Sequence, residues 1–157
     1  MYKRQIRDNV GFARPGADDD ELLDALDAVG VGELVERLGG LDGPVHERGA
    51  SLSAGERQLL ALARAFVARP RILILDEATS NLDLESEAQV ERALDVVLEG
   101  RTAIIIAHRL ATARRAHRIC VVHEGRIAEL GSHDELVALS GRYASLHETW
   151  VAHGGAG

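Results

Sequence analysis

Two strand-length apolar runs, separated by one helix-length segment, constrain the fold of this 157-residue chain more than any other feature. The first run is ILILDE, residues 72–77, and the second is TAIIIAH, residues 102–108. Between them, LESEAQVERALDVVLEG has the spacing of an amphipathic helix that ends at Gly100. Continuous apolar strands are typical of parallel strands covered on both faces. The sequence therefore predicts an α/β fold with a buried, mostly parallel sheet.

Helices dominate the chain before the first run. Apolar residues at helical spacing predict one helix that ends at Gly30, a second over residues 31–38, and a third from Ser53 to a stop before Pro70. After the second run, RLATARRAH predicts a short helix and RICVVHEGRIAELG predicts a hairpin with a Glu-Gly turn. Two helices, near residues 134–139 and 142–151, follow the hairpin.

Composition excludes several classes of protein. The net charge of −7 and an aromatic content of 3% argue against a nucleic-acid binder that neutralises phosphates or stacks bases. A single cysteine, Cys120, cannot form an internal disulfide. No apolar run in the sequence approaches the roughly 18 residues of a membrane span.

The segment LSAGERQ, residues 52–58, carries the first functional candidates. Ser53 and Glu56 have the spacing of a capping box, and Gly55 would let a ligand approach the backbone. The free N–H groups at a helix N-terminus suit an anion. A well-capped helix without any ligand explains this segment equally well when it is taken alone.

Two carboxylates and a histidine follow the apolar strands. Asp76 and Glu77 end the first strand, where adjacent charges are costly to bury without a cation or water. Asp76 suits Mg²⁺ and Glu77 suits a general base, although an acidic cap of the next helix is the simpler alternative. His108 ends the second strand and therefore lies at the same edge of the predicted sheet, as a candidate phosphate contact.

The order of these motifs resembles the nucleotide-binding domain of ATP-binding cassette (ABC) transporters. LSAGERQ resembles the signature motif of that family, with Ala54 for the usual first Gly and Glu56 for the usual Gln. ILILDE resembles Walker B, SNLD at residues 80–83 resembles the D-loop, and AHRL resembles the switch-histidine loop. Each motif is short, but the ordered set is specific and covers the chain from residue 6 onward.

The resemblance implies a role for each matching residue. Asp76 would help hold Mg²⁺, Glu77 would activate the attacking water, and His108 would contact the γ-phosphate of ATP. The signature residues would face ATP held by a second nucleotide-binding domain, and Asp83 would cross that dimer interface. The signature set is Ser53, Ala54, Gly55 and Glu56. The implied cofactors are ATP and Mg²⁺.

Other segments resemble the exporter branch of the family. GPVHERG, residues 43–49, resembles the TxVGExG loop that contacts the membrane-spanning domains, although Gly43 and His46 depart from it. IRDNV and the C-terminal GRIAELGSHDELVALSGRYASL also resemble exporter segments. The resemblance implies an exporter ATPase at the cytoplasmic face of the cell membrane, with membrane-spanning domains as partners.

No phosphate-binding P-loop, GxxxxGK[ST], occurs in the 157 residues. The one lysine, Lys3, lies in an opening pentapeptide that we interpret as non-native. We therefore expect a partial P-loop NTPase fold that lacks the P-loop strand and is inactive alone. We predict three parts: a non-native start at residues 1–5, a helical signature subdomain at residues 6–70, and the remaining part of the catalytic core at residues 71–157.

Two other interpretations remain open. The chain could be a noncatalytic module that docks on a complete cassette and regulates it, although the presence of Glu77 and His108 argues against this. It could instead be part of the head of a DNA-repair ABC ATPase, although no heptad seam appears in the sequence.

The cassette interpretation also predicts strand pairing. Residues 72–75 should pair in parallel with 103–106, and 119–123 should form a hairpin with 126–130. A slot as wide as one strand should remain between the two pairs. Hydrogen bonding between 103–106 and 119–123 would contradict the truncated-cassette interpretation.

Overall fold

A computed structural model describes residues 4–45, 51–76, 82–107 and 110–153. Its α-helices are α1 Ile6–Val10, α2 Asp19–Ala28, α3 Gly32–Leu38, α4 Ala54–Ala68, α5 Leu84–Leu98, α6 Leu110–Arg114, α7 His133–Ala138 and α8 Arg142–Ala152. Its strands are β1 Arg4–Gln5, β2 Pro44–Val45, β3 Ile72–Asp76, β4 Thr102–Ile106, β5 Ile119–His123 and β6 Arg126–Gly131. The predicted α/β class and the order of the long elements are confirmed.

The described strands form three separate pairs, β1–β2, β3–β4 and β5–β6. Helix α5 joins β3 to β4, and this pair is parallel as predicted. Strands β5 and β6 form the predicted antiparallel hairpin, with an irregularity between Val121 and Val122. The slot between the pairs stays a prediction. The absence of pairing between β4 and β5, which the truncated-cassette interpretation requires, stays a prediction as well.

The chain divides into two compact units, Met1–Ile104 and Ile105–Gly157. Helix α4 is central to the first unit and packs against α1, α2 and α5. Its residues Leu59, Ala63 and Val67 recur at i, i+4 and i+8 and are almost fully buried, which explains why this segment folds as an amphipathic helix. The predicted functional division at residue 70 stays a prediction.

The prediction that β3 and β4 are covered on both faces is wrong for the described chain. Leu73 is 7% exposed, but its neighbours Ile72 and Ile74 are 61% and 70% exposed. Ile104 and Ile106 on β4 are also about half exposed. Successive side chains of a strand point to opposite faces, so the core of the first unit covers only the face that carries Leu73.

The second unit is organised around Leu136 and Tyr143, which are both at most 2% exposed and pack with Ile119. The hairpin turn follows the predicted chemistry, because Glu124 and Gly125 both have positive φ, at 49° and 71°. Two successive residues with positive φ match the right-handed twist of the flanking strands.

The β1–β2 pair was not predicted. Arg4 and Gln5 pair with Val45 and Pro44 in an antiparallel register. The Ile6 N–H donates to the carbonyl of Gly43 at 3.0 Å, which extends this contact into α1. Two residues of the supposed non-native start therefore belong to the folded structure, while their origin stays a prediction.

Candidate functional site

The N-terminus of α4 is built by the predicted capping box. The Glu56 N–H donates to Ser53 Oγ at 3.1 Å, and the Ser53 N–H donates to Glu56 Oε2 at 2.7 Å. The first main-chain bond of the helix runs from the Arg57 N–H to the Ser53 carbonyl at 3.1 Å. The N–H groups of Ala54 and Gly55 precede that bond, at the positive end of the helix dipole. Ser53 is exposed, and this end of α4 fits an anion such as a phosphate.

Glu56 has a second partner outside its own helix. Arg37, in the last turn of α3, donates from Nη2 to Glu56 Oε1. Burial of the carboxyl raises the pKa of Glu56, but hydrogen bonds from the Ser53 backbone and from Arg37 outweigh burial and lower the pKa below its usual value. Glu56 is therefore ionised at neutral pH, with both oxygens engaged.

Gly55 is buried against another helix. A Cβ atom at position 55 would lie 2.9 Å from Ser86 Cβ and 3.0 Å from Ser86 Oγ, in the first turn of α5. Glycine at this position is therefore required for the approach of the two helix N-termini. The predicted contact of Gly55 with ATP stays a prediction.

Asp83 is the N-cap of α5. Its Oδ1 accepts from the Ser86 N–H at 2.9 Å, and its Oδ2 accepts from the Ser86 hydroxyl at 2.7 Å. Hydrogen bonds from the Ser86 backbone and then from the Ser86 side chain lower the pKa of Asp83. The acidic cap of α5 is thus Asp83 and not Asp76, for which a cap was the simpler alternative. The predicted dimer contact of Asp83 stays a prediction.

Asp76 ends β3 and is exposed to solvent. Magnesium is commonly held by one or two carboxylates together with water and substrate phosphates. Within the described ranges, no group of three or more His, Cys, Asp or Glu side chains is gathered as for a metal held by protein alone. An exposed carboxylate at a strand end suits magnesium that is held partly by water and phosphate oxygens, and the magnesium role of Asp76 stays a prediction.

Several predicted site residues lie outside the described residues. They include Glu77 and His108, as well as Ser80 and Asn81 of SNLD and His46, Glu47 and Gly49 of GPVHERG. The predicted proximity of Glu77 and His108 to Asp76 is therefore not part of the described geometry.

The local backbone explains why position 43 is a glycine and not the threonine of the TxVGExG pattern. A Cβ atom at this position would clash with the backbone carbonyl oxygen of Leu38 and would approach the Gly40 carbonyl oxygen to 2.9 Å. The Gly43 N–H donates to that same Gly40 carbonyl at 2.9 Å, so the backbone folds back on the end of α3. A threonine, as in the exporter pattern, would not fit this turn.

Sequence reasoning missed Arg37 and Ser86. The Asp-x-x-Ser spacing from Asp83 to Ser86 was a signal for the cap of α5. Arg37 had no such signal, because it reaches Glu56 across 19 residues.

Comparison with known proteins gives concordant matches. A family model described as "ABC transporter" matches residues 1–80. The chain is 48% identical over 147 residues, 93% of its length, to the uncharacterized ABC transporter ATP-binding protein YknV of Bacillus subtilis, and covers 24% of that protein. It is 48% identical over 146 residues, also 93% of its length, to the β-(1→2)glucan export ATP-binding/permease protein NdvA of Bradyrhizobium diazoefficiens, again covering 24% of that protein.

A solved structure, a bacterial Atm1-family ABC exporter with ATP bound, is similar across 98% of the chain with a TM-score of 0.81 and 38% sequence identity. The chain covers 27% of that structure. It thus spans about a quarter of the length of the proteins that it matches. Of the helices in the described ranges, none combines the length and apolar character needed to cross a membrane.

Proposed function

Because this chain belongs to the ABC transporter family, we propose that it is part of the ATP-hydrolysing cassette of an exporter. The observation that supports this proposal most strongly is the overlap of 98% of the chain with an exporter solved with ATP bound. The relatives whose names contain "export" or "exporter" favour the exporter branch.

In this proposal the chain supplies two parts of an ATP site. The hydroxyl of its exposed Ser53 and the Ala54 N–H, at the start of α4, bind the phosphates of ATP held by a second nucleotide-binding domain. Asp76, at the end of β3, holds Mg²⁺, which neutralises phosphate charge when it is bound. Glu77 orients and deprotonates the attacking water, and His108 contacts the γ-phosphate.

The proposal also includes the location and partners of the intact protein. Membrane-spanning domains would couple ATP hydrolysis to transport, and the cassette would lie at the cytoplasmic face of the membrane. The P-loop that these roles require is contributed by sequence outside the 157 residues, since the GxxxxGK[ST] pattern does not occur within them.

The test is made on the full-length protein that contains this sequence, purified and reconstituted in lipid vesicles. Glu77→Gln should lower ATP turnover by about 10²–10⁴-fold while MgATP binding is retained, because only the general base is removed. Glu99→Gln is the matched control, since this exposed residue follows the end of α5, and it should leave turnover unchanged. Normal turnover of the Glu77→Gln variant would overturn the assigned base.

A further inference from the structure

Glu56 poses an electrostatic problem for the proposed phosphate contact. It is the third helical residue of α4, in the turn to which the proposed function assigns the phosphate contact. The family signature usually has a neutral Gln here, so this chain carries an additional anion beside a phosphate-binding helix end. An uncompensated carboxylate would repel a phosphate at that helix end.

The structure shows how the charge is compensated. Glu56 Oε2 accepts from the Ser53 N–H at 2.7 Å, and Oε1 accepts from Arg37 Nη2. The Glu56 carboxylate is thus turned back toward the Ser53 N–H, and the Arg37 guanidinium neutralises its charge. The pair is only partly shielded from solvent, with side-chain exposures of 60% for Arg37 and 25% for Glu56.

We propose that Arg37 is a positioning residue for nucleotide binding, which acts by neutralising and orienting Glu56 at the start of α4. This inference rests on the proposed function, because it requires that the start of α4 faces a phosphate. Arg37 does not touch the nucleotide in this proposal. It determines the net charge that the incoming phosphate meets.

The proposal predicts an order of affinities that follows local charge. In the full-length protein, the pair is neutral in the wild type, negative in Arg37→Ala, positive in Glu56→Gln and neutral again in the double variant. Arg37→Ala should raise the KM for MgATP by about 3–10-fold, with kcat little changed, as expected for one charge near a helix terminus. Glu56→Gln should lower KM, because the pair then carries a positive charge beside the phosphate.

The double variant Arg37→Ala/Glu56→Gln should return KM to within about twofold of the wild type, because the unpaired anion is gone. Arg37→Lys should also preserve KM, because it keeps the charge. The difference between Arg37→Ala and wild type should shrink as ionic strength rises. Arg57, the next residue along α4, donates to the Leu52 carbonyl at 2.6 Å. None of these substitutions changes Arg57, so its positive charge is the same in every variant.

A purely structural role for the pair predicts a different pattern. Both single variants would then have a higher KM and a lower kcat than the wild type, and the double variant would not recover. This pattern would overturn the proposal. Arg92→Ala, which removes an exposed arginine from α5, is the matched control and should leave KM unchanged.

Failure of the proposed function would give a distinct result. Ser53→Asp places a charge at the helix end independently of Arg37. If Ser53→Asp leaves KM unchanged, the start of α4 does not face a phosphate and the proposed function is at fault. If Ser53→Asp raises KM and Arg37→Ala does not, only the positioning role of Arg37 is overturned.

Discussion

Gly55 and Ser86 are in contact where the first turns of α4 and α5 meet, and a Cβ atom at position 55 would lie 2.9 Å from Ser86 Cβ. Ser86 is itself fixed by two hydrogen bonds to Asp83, the cap of α5. The segment that resembles the signature motif is therefore packed against the residues that follow the D-loop-like segment.

Replacing Gly55 by alanine tests this contact. Alanine normally favours a helix over glycine by about 0.5–1 kcal/mol, but here its methyl group has no room. Overpacking should outweigh the gain, and we expect the free energy of unfolding to fall by about 1–3 kcal/mol. Thermal or denaturant unfolding measures this difference.

Two variants check the cause. Gly55→Ala combined with Ser86→Gly should recover part of the loss, because the opposing Cβ is removed. Gly11→Ala should be close to neutral, because its Cβ would meet only Leu22 side-chain carbons at 3.6 Å or more. Equal destabilisation by Gly55→Ala and Gly11→Ala would contradict the packing explanation.

Ser53 allows a matched test of the anion site. Aspartate and asparagine both cap helices well and have similar shape, but only aspartate carries a negative charge. In the full-length protein, Ser53→Asp should raise the KM for MgATP by about tenfold or more through repulsion of the phosphate, whereas Ser53→Asn should change it much less. ATPase assays at low ionic strength measure both values. Identical KM values for the two variants would argue against a phosphate at this helix end.

Helix α8 depends on a cap that comes from a strand. Glu129 on β6 accepts from the N–H groups of Arg142 at 2.5 Å and Tyr143 at 3.1 Å. Glu129→Ala should destabilise the second unit by about 0.5–2 kcal/mol, the usual cost of losing a helix cap. Hydrogen exchange of the α8 amides should increase. Glu148→Ala, on α8 itself, is the control because it leaves that cap intact. If the α8 amides exchange as fast in Glu148→Ala as in Glu129→Ala, Glu129 is not the cap of α8.

Two of the helix caps in the first unit make stability dependent on acid pH. The pKa of Glu56 is held below its ordinary value of 4.5, and the pKa of Asp83 below 3.8, by hydrogen bonds to the charged forms. A group whose pKa is lower in the folded state than in the unfolded state stabilises the fold at pH values above its unfolded pKa. That stabilisation is lost as the pH falls through its folded pKa. The melting temperature should therefore drop below about pH 4.5.

Neutral variants identify the groups responsible. Asp83→Asn and Glu56→Gln retain hydrogen-bond acceptors but do not titrate, so each should flatten part of the decline in melting temperature with acid. Glu99→Gln serves as the control. A decline that is equally steep in all three variants would show that other groups determine the acid response.

The 157-residue chain by itself should bind MgATP weakly and should not hydrolyse it. The reason is chemical, because the sequence contains no P-loop lysine or loop of backbone N–H groups to hold the phosphates. Calorimetric titration of the purified chain checks this expectation. Micromolar affinity would show that another part of the chain holds the nucleotide.

Local sequence determined the start of α4 and the tight turn of the β5–β6 hairpin. The capping box of Ser53 and Glu56 and the positive-φ turn at Glu124 and Gly125 were both predictable. Each depends on hydrogen bonds or backbone preferences that act within four residues. A short stretch of sequence is therefore enough to predict it. The ordered motifs likewise identified the family, because they are short segments at characteristic spacing.

Tertiary structure decided which residues oppose one another. The ion pair of Arg37 with Glu56 joins two helices across 19 residues, and the contact of Gly55 with Ser86 joins two helix starts. Neither follows from local spacing, because each depends on how α3, α4 and α5 pack. Tertiary packing also left Ile72 and Ile74 exposed in a strand whose sequence predicted burial. An apolar run records a preference for burial, but a side chain is buried only where another element covers it.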